Sequence, residues 1–113
     1  LAEATIEECI DTICHETFHA YQSYLVSSLD WENEALQSEY FSELRSWKEN
    51  QEDYKNAWIS GFEAYENQPL EVAARQYAEE ETQRILSYIN WVDLIFNIKI
   101  PVSRPAMADF KEL

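Results

Sequence analysis

A single glycine, Gly61, in 113 residues is the feature that most constrains what this chain can fold into. Three prolines, Pro69, Pro101 and Pro105, are the only other strong punctuators. Tight turns and strand connections draw on Gly and Pro, because one reaches positive φ freely and the other presets a turn dihedral. A chain so poor in both predicts long helices with few connections. The expected class is mainly α, in one domain spanning 1–113 with a modest core, about 101–113 forming a tail.

Three long helices follow from the apolar periodicity. The first is expected from about Thr5 to Ser28, with Ile6, Ile10, Ile13, Thr17, Tyr21 and Tyr24 as its apolar stripe. Asp30 is placed to cap a second helix. Its stripe runs through Leu36, Tyr40, Leu44, Trp47, Tyr54, Trp58, Phe62 and Tyr65, and reads as core. Gly61, near its end, allows close packing or a bend. Pro69 sits well at the first position of a third helix, where its missing N–H would be unpaired anyway. That helix is expected from Pro69 to about Asn90. Beyond Trp91, Leu94, Phe96, Ile98 and Ile100 alternate with other residues. This fits a short C-terminal strand ended by Pro101, or a continuation of the third helix to Phe96. An extended or irregular segment after Asn97 is preferred.

The formal charge of −14 comes from 22 acids against 8 bases. A phosphate backbone would be repelled, so nucleic acid is not expected as a partner. The sign favours basic substrates or partners, or serves solubility alone. No run approaches the roughly 18 apolar residues of a membrane span, so no membrane partner is expected. Cys9 and Cys14 lie five residues apart on one helix, about 140° around its axis, and cannot pair. Two reduced thiols and no visible signal peptide suit a reducing compartment, the cytoplasm. The chain begins at Leu1 rather than Met, which leaves an upstream segment open.

The chemistry concentrates at His15-Glu16-Thr17-Phe18-His19, which uses both histidines of the chain. On a helix, residues i and i+4 share a face, so two imidazoles so spaced can ligate one Zn²⁺. The glutamate between them can act as general base on water held by that ion. His15 and His19 lie roughly opposite the apolar stripe, on a strip with Glu8, Asp11 and Gln22, facing a cleft or solvent. Two exposed histidines on a polar face are the plainer alternative. A carboxylate-bridged di-iron site shares the Glu16-x-x-His19 unit but needs a second such unit, and no third histidine exists to supply it.

A catalytic zinc usually takes three protein ligands and leaves one position open. With both histidines used, the third must be a carboxylate. Glu71 is one candidate; Glu66, Glu79 and Glu80 are others. A glutamate in a first helical turn also needs no metal to explain it, because unpaired N–H groups favour it there.

The stretch His15-Glu16-Thr17-Phe18-His19-Ala20-Tyr21-Gln22, followed by Pro69-Leu70-Glu71-Val72-Ala73-Ala74, resembles small zincin-like domains of the gluzincin type. Those carry an H-E-x-x-H-x-x-Q helix and a later P-x-E-x-x-A helix. The resemblance covers roughly an eighth of the chain and implies zinc on His15, His19 and Glu71, with Glu16 as the base. It further implies a minimal zincin-like helical core and a zinc metallopeptidase acting on a peptide or protein substrate. Many relatives have an acid where this chain has Ala73; Asp11, one turn before His15, is a substitute partner for a ligand histidine. The sheet that receives an extended substrate in larger zincins is not apparent upstream. Tyr65 and Tyr77, flanking Glu71 in sequence, are candidates to stabilise an oxyanion, and each also reads as core. The alternative from another class is a non-catalytic acidic helical interaction domain.

Overall fold

A capping box starts the first helix. In the computed structural model, which describes residues 3–96, α1 spans Ile6–Ser28 with Thr5 as its N-cap. The Thr5 hydroxyl accepts from the Glu8 N–H at 3.1 Å, and the Glu8 carboxylate accepts from the Thr5 N–H at 3.2 Å. Two otherwise unpaired donors are thereby satisfied. Two 3-10 turns follow, Glu34–Gln37 and Glu39–Phe41, then α2 (Ser42–Glu52), α3 (Ala57–Ser60), α4 (Phe62–Glu66) and α5 (Pro69–Phe96). The fold is mainly α, with α1, α2 and α5 the long helices and no strand among the described residues. The alternation after Trp91 belongs to α5 as far as Phe96; its remainder and the 101–113 tail lie outside the described residues.

The continuous second helix expected from Asp30 to Tyr65 is instead a chain of short pieces, and side-chain hydrogen bonds explain the breaks. Asp30 Oδ1 accepts from the Glu32 N–H and closes a turn rather than a helix. Asn33 and Asn56 each accept from the N–H two residues on, capping the first 3-10 turn and α3. Asn and Asp compete in this way with the helical ladder. Gly61 then takes φ 92°, which an L side chain adopts only with strain. A Cβ there would meet nothing within 4 Å, so Gly61 serves a bend and not close packing. With the helix broken, its aromatic stripe disperses: Trp47 and Leu36 are buried, whereas Tyr40, Trp58 and Phe62 are exposed.

α1 and α5 run antiparallel. Gln22 meets Leu70 at one end of the pair, and Glu7 meets Gln83 at the other. Glu71, Ala74, Ala78, Thr82 and Leu86 form the buried stripe of α5 at helical spacing. Ala74 and Ala78 are wholly buried, and their small side chains let the two helices approach closely. Phe18 anchors the centre, stacked on Tyr77 at 4.6 Å between ring centroids and edge-on to Trp47 at 5.7 Å.

The face α1 turns inward is not the one its apolar periodicity selected. Ile13, Tyr21 and Tyr24 are exposed, whereas Cys14 and Gln22 are buried. Phe18, His15 and His19 are half-buried along the inward side. Polar residues take the inner face because α5 supplies partners for them there, so burial costs them few hydrogen bonds. Cys14 is buried, Cys9 exposed, and both are free thiols. Burial and the nearby Glu81 and Asp11 charges push the Cys14 thiol up.

Candidate metal centre

The first turn of α5 carries the site's carboxylate, and a buried amide network holds that turn in place. Asn50 of α2 accepts from the Leu70 N–H at 2.9 Å and donates to Gln68 Oε1 at 2.9 Å. Gln68 in turn accepts from the Lys55 N–H and donates to the carbonyls of Lys55 and Tyr65. The Gln68 carbonyl accepts from the Glu71 and Val72 N–H groups. Each link places a polar group that could not be buried unpaired. The result is a fixed path from α2 to Glu71.

Glu71 is 2% exposed. Its Oε1 lies 3.1 Å from His15 Nε2, and its Oε2 lies 2.9 Å from His19 Nε2. The two imidazole Nε2 atoms are 3.1 Å apart. Tyr54 donates its hydroxyl to Glu71 Oε2 at 2.6 Å. Burial alone pushes the Glu71 carboxyl up. The Tyr54 hydrogen bond, the His19 charge and the His15 hydrogen bond outweigh it and hold the carboxyl below its ordinary range. Tyr54 moves the opposite way, pushed up first by desolvation and then by its bond to the carboxylate.

Gln22 decides what His19 offers. Its Nε2 donates to the Leu70 carbonyl at 3.2 Å, an atom that only accepts, and this fixes which way the amide points. Its Oε1 therefore faces His19 Nδ1, at 2.8 Å, and Nδ1 must carry a proton. In neutral His19 the Nε2 atom is then a bare lone pair. That lone pair meets a carboxylate oxygen at 2.9 Å. Two acceptors at that distance require positive charge between them, from a second proton on the ring or from a metal ion.

The cluster fits a metal. Its three ligand atoms lie within 4.8 Å of one another, and it is the one group of three His, Cys, Asp or Glu side chains so arranged among the described residues. Ligands about 2.0–2.1 Å from a tetrahedral zinc stand about 3.3 Å from each other. The observed separations of 2.9–3.1 Å, with each imidazole facing a different oxygen of Glu71, are slightly shorter than that spacing. Two imidazoles and a carboxylate are a donor set suited to zinc, and three ligands leave a position open.

No family model, no curated protein and no solved structure matches the chain.

Of the carboxylates weighed from sequence, Glu71 joins the histidines, and Glu66, Glu79 and Glu80 do not. Glu16 is exposed, on α1 between the two histidines. Its charge reaches Tyr65, whose hydroxyl is raised by desolvation first, then by Glu71, with Glu16 adding. Tyr77 is taken up in the core against Phe18. Asp11 makes no hydrogen bond to His15 among the described residues; the histidine-orienting part falls to Gln22. Sequence reasoning placed Gln22 on the histidine strip without giving it a role, and read Tyr54 as core. A glutamine three residues after a candidate ligand, on the same helical strip, is a local signal. Tyr54 has none, since 17 residues separate it from Glu71.

Proposed function

We propose that this chain is a zinc-dependent hydrolase domain of the small zincin kind, cleaving peptide bonds. The observation that carries the reading is the convergence of His15 Nε2 and His19 Nε2 on the buried Glu71 carboxylate, at 3.1 and 2.9 Å. A zinc ion held there would acidify water toward a pKa of about 7 and polarise a substrate carbonyl. His15, His19 and Glu71 would hold it. Gln22 keeps the His19 proton on Nδ1, and Tyr54 keeps the Glu71 carboxylate turned toward the rings. Glu16 points about 100° around α1 from His15, so it can take a proton from water at its carboxylate and pass it to the leaving amine without being a ligand. Tyr65 interacts with Glu71 and Tyr54 and feels the Glu16 charge; to donate to a developing oxyanion its hydroxyl would have to turn from the carboxylate. A peptide or protein substrate follows from the resemblance of the two motifs.

The second reading, a non-catalytic interaction domain, is favoured by one observation: Trp58 is 96% exposed, with Ile59 and Tyr40 each 87% exposed. Glu16→Gln separates the two readings. It keeps the shape of the side chain and removes the base. The hydrolase reading expects zinc affinity within a few-fold of the parent and peptide hydrolysis lower by at least about 10²-fold. Equal hydrolysis by both proteins excludes Glu16 as base. No hydrolysis of a mixed peptide library by the zinc-loaded parent favours the interaction domain.

A further inference from the structure

Tyr54 gives Glu71 its shortest hydrogen bond, yet it stands in the connection 53–56 between α2 and α3, where no helical ladder fixes the backbone. Such a connection holds a side chain in place only if its own backbone groups find partners. One side chain supplies them. Gln68, 5% exposed, accepts from the Lys55 N–H at 2.8 Å and donates to the Lys55 carbonyl at 2.9 Å. Its amide thus pairs with both backbone groups of the residue next to Tyr54, as a neighbouring strand would. The rest of the amide is engaged as well. Oε1 accepts a second bond from Asn50, and Nε2 donates a second to the Tyr65 carbonyl. A primary amide has two donor hydrogens and a carbonyl with two lone pairs, and all are used. Because Nε2 faces two carbonyls, which only accept, the amide has one orientation. Glutamate of the same size has no donor when ionised, and methionine offers only a weak acceptor.

The same residue heads α5. The Gln68 carbonyl accepts from the Glu71 N–H at 3.1 Å and the Val72 N–H at 3.0 Å. Backbone and side chain of Gln68 together hold the two partners of one hydrogen bond, Glu71 from α5 and Tyr54 from the connection. We propose that the Gln68 side chain is a positioning residue for the metal centre: it sets the Tyr54 hydroxyl on Glu71, and so aims one carboxylate oxygen at His15 and the other at His19. Its effect on zinc rests on the zinc reading of the site; its effect on Tyr54 does not. A substitution of the side chain leaves the Gln68 carbonyl in place, so it tests the Tyr54 arm by itself.

The test combines zinc affinity with a signal from Tyr54 itself, on the full chain. Gln68→Met fills the space and removes every bond of the amide. Gln68→Asn is the milder variant, an amide one methylene short of Lys55, and serves where Gln68→Met loses the helix content of the parent. Zinc affinity is read by chelator competition in two backgrounds, the parent and Tyr54→Phe. In the parent the Gln68 substitution should weaken zinc binding about tenfold, the lower range for losing a ligand's supporting partner. In Tyr54→Phe, which has no hydroxyl left to place, it should cost under about threefold, because two changes on one path do not add. An equal loss in both backgrounds overturns the proposal, since Gln68 would then act without Tyr54; no loss in the parent overturns it too. The second readout needs no metal. In metal-free protein labelled at tyrosine, the ζ-carbon resonance of Tyr54, identified by its absence in Tyr54→Phe, should move toward the free tyrosine value when Gln68 is replaced. A resonance unmoved in a folded Gln68 variant overturns the positioning role and leaves the zinc reading untouched. A parent that binds no zinc ends the zinc reading, and the Tyr54 resonance then decides the role of Gln68 alone.

Discussion

Gln22 bonds to the Leu70 carbonyl, and that contact settles the proton position of a ring one turn away. Removing it should therefore act on metal affinity before it acts on anything else. Gln22→Ala is expected to weaken zinc binding about 10- to 100-fold, the usual effect of losing a ligand's orienting partner. Tyr54→Phe should weaken it as well, since the Glu71 carboxylate loses its shortest hydrogen bond. Competition with a chromophoric chelator reads both. Affinity equal to the parent in Gln22→Ala would mean that the His19 ring is held by packing alone. Glu71 also ties the site to pH. Its folded-state carboxyl lies below the ordinary value, so in metal-free protein it contributes stability above the unfolded pKa of about 4.5. That contribution is lost as pH falls through the lowered folded value. Glu71→Gln should flatten the acid limb of a stability-against-pH curve measured by urea unfolding. At this scale the pairing of His15 with His19 was legible from spacing, because helical geometry alone puts i and i+4 on one face. Glu71 rested on the resemblance to a second motif. Tyr54 was not legible, because its contact depends on a chain path that only the folded structure fixes.

Between elements, two features hold the α1–α5 pair and the turn that feeds it. Ala74 and Ala78 set the helix separation. Ala78→Leu forces the helices apart and is expected to cost about 1–3 kcal/mol of stability. It should also open the distance between Glu71 and the two rings, so thermal stability and zinc affinity should fall together. Asn50→Ala leaves the buried Leu70 N–H without its partner and takes one of two donors from Gln68 Oε1, at a cost of about 1–3 kcal/mol. Chemical denaturation checks both, and a change under about 0.5 kcal/mol in either would contradict the account. The start of α1 was legible at Thr5, and Pro69 marked the start of α5, because caps and prolines act locally. The long middle helix was misread for a physical reason. Asn33, Asn56 and Gly61 break a stripe whose apolar spacing by itself looked continuous. The inward face of α1 was misread because apolarity was used to find it. Cys14 and Gln22 are buried there by the needs of the site and of α5.

For the whole molecule, scarcity of Gly and Pro was enough to indicate a mainly α fold, and net charge of −14 bears on what it meets. No described helix is long and apolar enough to cross a membrane. The core is small, so a bound ion would matter to folding as well as to chemistry. Zinc that binds the native cluster and not the unfolded chain should raise stability by about 2.7 kcal/mol at a hundredfold excess over its Kd, and shift the melting temperature upward. The central claim is that His15, His19 and Glu71 form one zinc site. X-ray absorption at the zinc edge, on protein loaded with a single equivalent, tests it most directly. The account predicts two imidazole nitrogens at about 2.0–2.1 Å with carboxylate and solvent oxygens at about 2.0–2.2 Å, and loss of the imidazole signature in His15→Ala/His19→Ala. A spectrum of oxygen ligands alone, or one unchanged by that double substitution, would contradict it.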